Sequence, residues 1–251
     1  MCTDAFDSAA RRRPLENAER RRRSASADST PGSSRIESAE RRRRSASSKS
    51  APFVVGIVGP AGSGKSTLAR ALAGPGTCLL DADRFGHEIT DGEPSVRAAL
   101  AAEYGPDVYR ADGTLDRARV AARVFSDPTA LARLNALVHP HILDRLRSGI
   151  AGAAGVDTVV VDAALLLDWG FERECDAVVA VVAPRPLQLE RLRAKRGWSE
   201  AEAARRLANA RSNEQFAALA DAVVVNDADE ASSVNAMRAA IAGLRARWAA
   251  S

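Results

Sequence analysis

The sequence predicts a doubly wound α/β fold around a five-stranded parallel sheet, and three observations predict it. Short apolar runs such as Val159-Val160-Val161 and Ala177–Val182 are unbroken rather than alternating, as strands buried on both faces require. They are separated by longer stretches of helical pattern, the mark of β-α units. Aromatic residues make up only 4% of the chain while apolar residues reach 46%. Ala, Val and Leu must therefore fill the core, which suits helices on a sheet better than an aromatic-rich sandwich.

Element by element, Phe53–Val58 reads as a first buried strand and Ser66–Ala73 as the helix after it. Cys78–Asp81 is a short second strand, and the segment from about Pro94 to Ser148 is mostly helical in pattern. Thr158–Asp162 and Ala177–Val182 are the third and fourth strands. Pro186 to about Arg196 and Ser199 to about Arg211 read as helices, the second opening on Ser199 with Glu202 three residues on, a capping-box pattern. Ala222–Val225 is the last strand, and Glu230 to Trp248 closes the chain as a helix.

Charge is distributed unevenly. The net charge of +4 averages a basic first fifty residues, with 13 Lys/Arg against 7 Asp/Glu, and a remainder that is net −2. The globular part thus offers no general nucleic-acid surface. Residues 1–50 are rich in Arg, Ser, Ala and Glu and hold few large apolar side chains, too few to offset the chain entropy of ordering. Within them, Glu16–Ser26 recurs nearly intact as Glu37–Ser47. A solvated tail is expected, with weak polyanion contact through its Arg clusters as the sharper alternative. Cys2, Cys78 and Cys175 are far apart and lack metal-ligand spacing. No apolar run approaches the ~18 residues of a membrane span, and the expectation is a soluble cytoplasmic protein.

The segment Gly59-Pro60-Ala61-Gly62-Ser63-Gly64-Lys65-Ser66-Thr67 fits G-x-x-x-x-G-K-[ST] and sits between a strand and a helix, where its physics requires it. Glycines allow a tight turn and bring backbone N–H groups against phosphate oxygens. A helix N-terminus adds unpaired donors and partial positive charge. Gly59, Gly62, Ser63, Gly64, Lys65, Ser66 and Thr67 are therefore the candidate ATP-binding residues. Lys65 can reach the β- and γ-phosphates and the Ser66 hydroxyl can ligate Mg²⁺.

Other residues gain meaning behind such a loop. Asp81 and Asp83 are two apart after a strand, so an extended backbone would turn both carboxylates to one side of the crevice. One could orient an acceptor hydroxyl and take its proton, the other hold Mg²⁺ through water. Alternatively, one of them caps the next helix. Asp162, ending an apolar strand, resembles the aspartate of a Mg²⁺ shell. Arg191, Arg193, Lys195 and Arg196, with Arg205, Arg206 and Arg211 further on, could close over a transferring phosphoryl group or simply solvate a helix face. His139 precedes Pro140 at the end of an apolar helical stretch, where it could cap a helix or line an acceptor pocket. Trp169, Trp198 and Trp248 read as packing or surface residues.

Taken together, these segments resemble dephospho-coenzyme A kinase, a family of phosphate-loop kinases. The resemblance rests on the Gly59–Thr67 loop, Asp81-Ala82-Asp83 and Asp112-Gly113-Thr114-Leu115-Asp116-Arg117. It continues through Val124–Asp127, Leu134–Pro140 and Asp162–Leu166, and ends with Gln188–Arg191 and Ala220–Asn226. It implies a nucleotide core with a helical acceptor-binding insertion at about 85–148 and a lid at about 191–215. The implied reaction is transfer of the ATP γ-phosphate to the ribose 3′-hydroxyl of dephospho-coenzyme A. By the same resemblance Asp83 is the candidate base, Arg117 and His139 are acceptor contacts, Arg191 is a lid arginine and Asn226 lies near the adenine. Several positions depart from the family pattern: Ala163 stands for a usual proline, Asp168 for a usual glutamate and Lys195 for a usual second lid arginine. The glutamine usual near the end of the lid is not evident around Asn209–Arg211, and Ala228 stands where a glycine often lies. The alternatives are a kinase for a nucleoside, nucleoside monophosphate or shikimate-like alcohol, and a nucleotide-dependent regulatory protein using the basic tail.

Overall fold

Strand β1 (Phe53–Val58) is buried at every position and runs through the middle of the sheet. The other strands are β2 (Thr77–Asp81), β3 (Thr158–Asp162), β4 (Ala177–Val182) and β5 (Ala222–Val225). All pair in parallel, in the order β2-β3-β1-β4-β5. The helices are α1 (Lys65–Leu72), α2 (Ala82–Gly92), α3 (Pro94–Tyr104), α4 (Arg117–Val124), α5 (Pro128–Gly152), α6 (Arg185–Arg196), α7 (Glu200–Ala208), α8 (Asn213–Ala218) and α9 (Glu230–Ala249). This computed structural model describes residues 51–124, 127–227 and 229–250. The expectations for the tail at 1–50 lie outside them.

Alternation along the strands divides the core in two. Phe53, Val55 and Ile57 face one side, where Leu68 and Leu72 of α1 and Met237 and Ile241 of α9 cover them. Val54 and Val58 face the other side, together with Leu80, Val161 and Ala180, under the helices that connect β2 to β3. Each aliphatic side chain buried in this way contributes about 1.5–3 kcal/mol. The numerous exposed ion pairs contribute at most about 1 kcal/mol each. The sheet and its two apolar faces therefore hold the fold, and the surface arginines do not.

All five strands fall where the sequence predicts them, but three local expectations need correction. The chain does not stay extended through Asp81-Ala82-Asp83, because α2 begins at Ala82 and the Asp81 carboxylate caps it, accepting from the Arg84 N–H at 3.1 Å. His139 caps nothing: α5 runs through Pro140 for 25 residues. Losing the N–H of Pro140 is tolerated because Val138, Ile142 and Leu146, at four-residue spacing, are all buried. The helix expected from Ser199 to Arg211 stops at Ala208, and α8 starts anew behind Ser212. There a full capping box forms, with the Ser212 hydroxyl accepting from Gln215 N–H at 3.3 Å and the Gln215 side chain accepting from Ser212 N–H at 2.8 Å. At Ser199 the hydroxyl accepts from Glu202 N–H at 3.2 Å.

Candidate active site

Between β1 and α1 the chain folds tightly against helix α6 and the residue that follows β5. Gly62 and Gly64 have φ of 78° and 87°, a conformation that costs a residue with a Cβ. Space excludes a side chain as well: a Cβ on Gly62 would come within 2.6 Å of the Gln188 carbonyl oxygen, and one on Gly64 would overlap the Asn226 amide. The loop's carbonyl groups are held by two side chains from distant segments. Asn226, just after β5, donates to the Ser63 carbonyl at 2.8 Å, and Arg191 of α6 donates to Ser63 at 3.3 Å and Gly62 at 3.4 Å. Across a trans peptide the next N–H points the opposite way, so this anchoring turns the Gly64 N–H away from Asn226. No side chain caps α1, which leaves first-turn donors for an anion.

Parallel pairing sets Asp162 beside Ile57 on one side and Asp81 on the other. The Asp162 carboxylate is buried, and its Oδ1 makes no hydrogen bond. The Lys65 ammonium lies 3.3 Å from that oxygen and also donates to the Ser66 hydroxyl at 3.3 Å. A hard divalent cation fits this donor set, because a buried carboxylate oxygen without a hydrogen bond and a neighbouring hydroxyl are oxygen ligands. Among the described residues no group of three or more His, Cys, Asp or Glu side chains could hold a metal ion by itself. Phosphate oxygens and water would therefore supply most of such an ion's shell.

A cleft of about 1010 Å³ opens over the loop. Gly59, Gly62, Gly64, Lys65, Ser66 and Thr67 line its floor. Ser63 does not, since it is fully buried, with its N–H given to the Pro60 carbonyl at 3.2 Å. Asp83, in the first turn of α2, reaches the cleft from the β2 side. Asn226 and Glu230 border it at the β5 end. Its roof is α6 with the chain leading to α8, which supplies Arg191, Lys195, Trp198 and Arg211. Leu192, Ala203 and Leu207 form a separate small core between α6 and α7, and the Arg206 guanidinium lies 4.4 Å over the Trp198 ring.

The dephospho-CoA kinase family model matches residues 53–232. The chain belongs to the dephospho-CoA kinase family. It is 41% identical over 180 residues to a dephospho-CoA kinase of Dechloromonas aromatica, covering 71% of this chain and 86% of that protein. It is 39% identical over 176 residues to a dephospho-CoA kinase of Thermobifida fusca, covering 70% and 88%. Among solved structures, TT1252 from Thermus thermophilus aligns with a TM-score of 0.64 and 29% identity, covering 77% of this chain and 98% of that one. A dephospho-CoA kinase from Campylobacter jejuni shares the fold, with a TM-score of 0.52, 20% identity, and coverage of 77% and 97%.

In this member of the family the structure brings Lys65, Ser66, Asp83, Arg191 and Asn226 to one cleft, with Asp162 buried beside Lys65, but Asp162, Arg117 and His139 are not among the residues lining it. Arg117 holds the last turn of α2, donating to Asp91 at 3.0 Å and to the Thr90 hydroxyl at 3.0 Å. Although burial opposes it, hydrogen bonds from Leu115 N–H and Arg117 hold the Asp91 carboxyl below its ordinary pKa. His139 meets Trp169 edge to face, with ring centroids 5.1 Å apart, and its Nδ1 accepts from the indole N–H at 3.0 Å. Burial pushes its pKa below the ordinary value.

Two features have no clear sequence signal. Asn213 accepts from Gln188 at 2.9 Å and donates to the Ala183 carbonyl at 2.8 Å, tying the start of α8 to α6 and to the end of β4. Arg211 pairs with Asp168 at 2.7 Å across the cleft. Both join segments distant in sequence, and no local periodicity reports such contacts.

Proposed function

We propose that this chain phosphorylates the ribose 3′-hydroxyl of dephospho-coenzyme A with ATP, giving coenzyme A and ADP, the last step of coenzyme A synthesis. The observation that carries the reading is Asp83. It is the cleft carboxylate on the β2 side and lines the same cleft as the glycine loop and Lys65, which supports the reading. Such a pair of features suits phosphoryl transfer to an alcohol.

In this reading Gly59, Gly62, Gly64, Lys65, Ser66 and Thr67 hold the triphosphate, and Ser63 shapes the loop from below. Asn226 holds the loop and borders the nucleotide's base. Lys65, Arg191 and Lys195 spread positive charge along the phosphate chain, which favours the transition state more than the ground state. For Arg191 that means leaving the loop carbonyls when the nucleotide enters. Asp83 orients the 3′-hydroxyl and accepts its proton as the oxygen attacks the γ-phosphorus and ADP departs. Ser66 and Asp162 would hold Mg²⁺, which when bound neutralises charge on the phosphate oxygens.

We assign the helices within about 85–148 to the acceptor and the segment 191–215 to a lid. Arg117 and His139 serve the acceptor side by fixing α2 and α5 in this assignment, with direct acceptor contact requiring both to leave their present partners. No described helix is long and apolar enough to cross a membrane, and we place the reaction in the cytoplasm. The test is an acceptor panel with ADP release as the readout. Dephospho-coenzyme A should far exceed nucleosides, nucleoside monophosphates and shikimate; preference for any of those would refute the assignment.

A further inference from the structure

Four cations line the cleft among the described residues. Lys65 belongs to the phosphate loop, and Arg191 and Lys195 to α6. Arg211 belongs to neither. It sits in the α7–α8 connection, next to the start of α8, which Asn213 ties to α6 and to the end of β4. Its guanidinium is paired at 2.7 Å with Asp168, on the chain that leaves β3. The strand order separates the two ends of the cleft. Asp83 follows β2 and Asp168 follows its neighbour β3, whereas Asn226 follows β5 at the far edge. Arg211 is therefore drawn toward the end that holds the proposed base and away from the nucleotide end.

Both substrates of the proposed reaction carry phosphates. The loop amides, Lys65, Arg191 and Lys195 are already grouped for the triphosphate. The acceptor brings a second anion, the 5′-diphosphate joined to the same ribose whose 3′-hydroxyl faces Asp83. We infer that Arg211 is the acceptor's diphosphate ligand, and that Asp168 is a stand-in anion that occupies it until the acceptor arrives. This rests on the acceptor assignment above. The geometry permits the exchange: the side chains of Arg211 and Asp168 are 39% and 43% exposed, and a pair that open to solvent is weak enough for a diphosphate to displace. A planar guanidinium also matches phosphate oxygens two at a time.

The test measures binding of dephospho-coenzyme A, Mg-ATP and adenosine by titration calorimetry to the full chain and to Arg211→Gln, Asp168→Asn and the double variant. Arg211→Gln should weaken dephospho-coenzyme A roughly tenfold or more, the scale of one charge-assisted contact, and leave Mg-ATP and adenosine unchanged, since adenosine has the 3′-hydroxyl and no diphosphate. Asp168→Asn should tighten dephospho-coenzyme A about two- to fivefold, and the double variant should lose that gain. Should Arg211→Gln fail to fold, Arg211→Lys keeps the charge but loses the planar fork, and should bind dephospho-coenzyme A more weakly than the full chain while leaving Mg-ATP and adenosine unchanged. Unchanged acceptor affinity in Arg211→Gln overturns the inference. So does equal weakening of Mg-ATP or adenosine in an Arg211 variant, weaker acceptor binding in Asp168→Asn, or unchanged acceptor affinity in Arg211→Lys. Wild-type protein that neither binds nor phosphorylates dephospho-coenzyme A would instead refute the acceptor assignment itself.

Discussion

The Nζ of Lys65 lies 3.3 Å from Oδ1 of Asp162, and the two side chains are only 15% and 5% exposed. Each is the other's counter-charge in a site built for more charge than it now holds. Removing one partner leaves a buried charge uncompensated, at about 3–5 kcal/mol. Lys65→Ala should therefore lower the stability of the ligand-free protein in a urea titration by that order. It should also cut turnover by at least about 10²–10³-fold, the scale of losing one preorganised donor to the developing charge. A stable variant with near wild-type turnover would contradict both roles.

Asp83 and Asp81 are distinguished by the helix that starts between them. Asp81 caps α2, while Asp83 reaches the cleft. Asp83→Asn should lower kcat by about 10²–10⁴-fold, the range for loss of a general base, with Mg-ATP affinity nearly unchanged. Asp81→Ala should cost about 1 kcal/mol of stability, the usual value of a cap, with kcat largely retained. Steady-state kinetics beside thermal melts of the two variants separates the roles, and exchanged phenotypes would reverse the assignment.

Much of this division was legible in the sequence and part was not. Strands β1, β3 and β4 announce themselves because a strand covered on both faces needs an unbroken apolar run, as in Thr158–Asp162 and Ala177–Val182. The edge strands β2 and β5 are only partly covered and read from short apolar runs alone. The phosphate loop is legible because its glycines answer local constraints at Gly62 and Gly64. The phase of Asp81 and Asp83 was not, since reading both onto one side required the strand to continue where a helix begins. For His139 the proline that follows left a cap and a pocket-lining role both open, and the cap fails because burial of Val138, Ile142 and Leu146 outweighs the hydrogen bond that Pro140 forfeits. Asn213, Asp168 and Arg211 act through partners 25 to 43 positions away, a distance at which local pattern is silent.

The loop's glycines make a sharper prediction. At Gly62 a Cβ would sit 2.6 Å from the Gln188 carbonyl oxygen and 2.9 Å from its Cα, with φ at 78°. Both neighbours are backbone atoms, so no side-chain rotation relieves the contact. Gly62→Ala should destabilise the fold by about 1–3 kcal/mol for the backbone conformation alone, and should weaken Mg-ATP binding because the loop must move off α6. Gly243, in α9, has open space around its Cβ position. Gly243→Ala should stabilise slightly, by about 0.4–1 kcal/mol. Chemical denaturation of the pair checks the contrast, and equal effects would contradict it.

His139 carries the pH dependence that the geometry supports. Its pKa is lowered by burial, and its Nδ1 must stay unprotonated to accept from Trp169. Unfolding raises the proton affinity back toward the ordinary imidazole value, about 6.5. The contribution to stability is thus complete above that pH and lost as pH falls through the lower folded value. His139→Gln should flatten the stability profile below about pH 6.5, with a red shift or intensity change of Trp169 emission. A slope unchanged by the substitution would show that other groups set it.

The central claim is tested most directly by incubating the full chain with Mg-ATP and dephospho-coenzyme A and locating the new phosphate by mass spectrometry and phosphorus NMR. The account predicts one ADP released per coenzyme A formed, with the phosphate on the ribose 3′-oxygen. ATP consumption without that product, or phosphate placed on another oxygen, would contradict it.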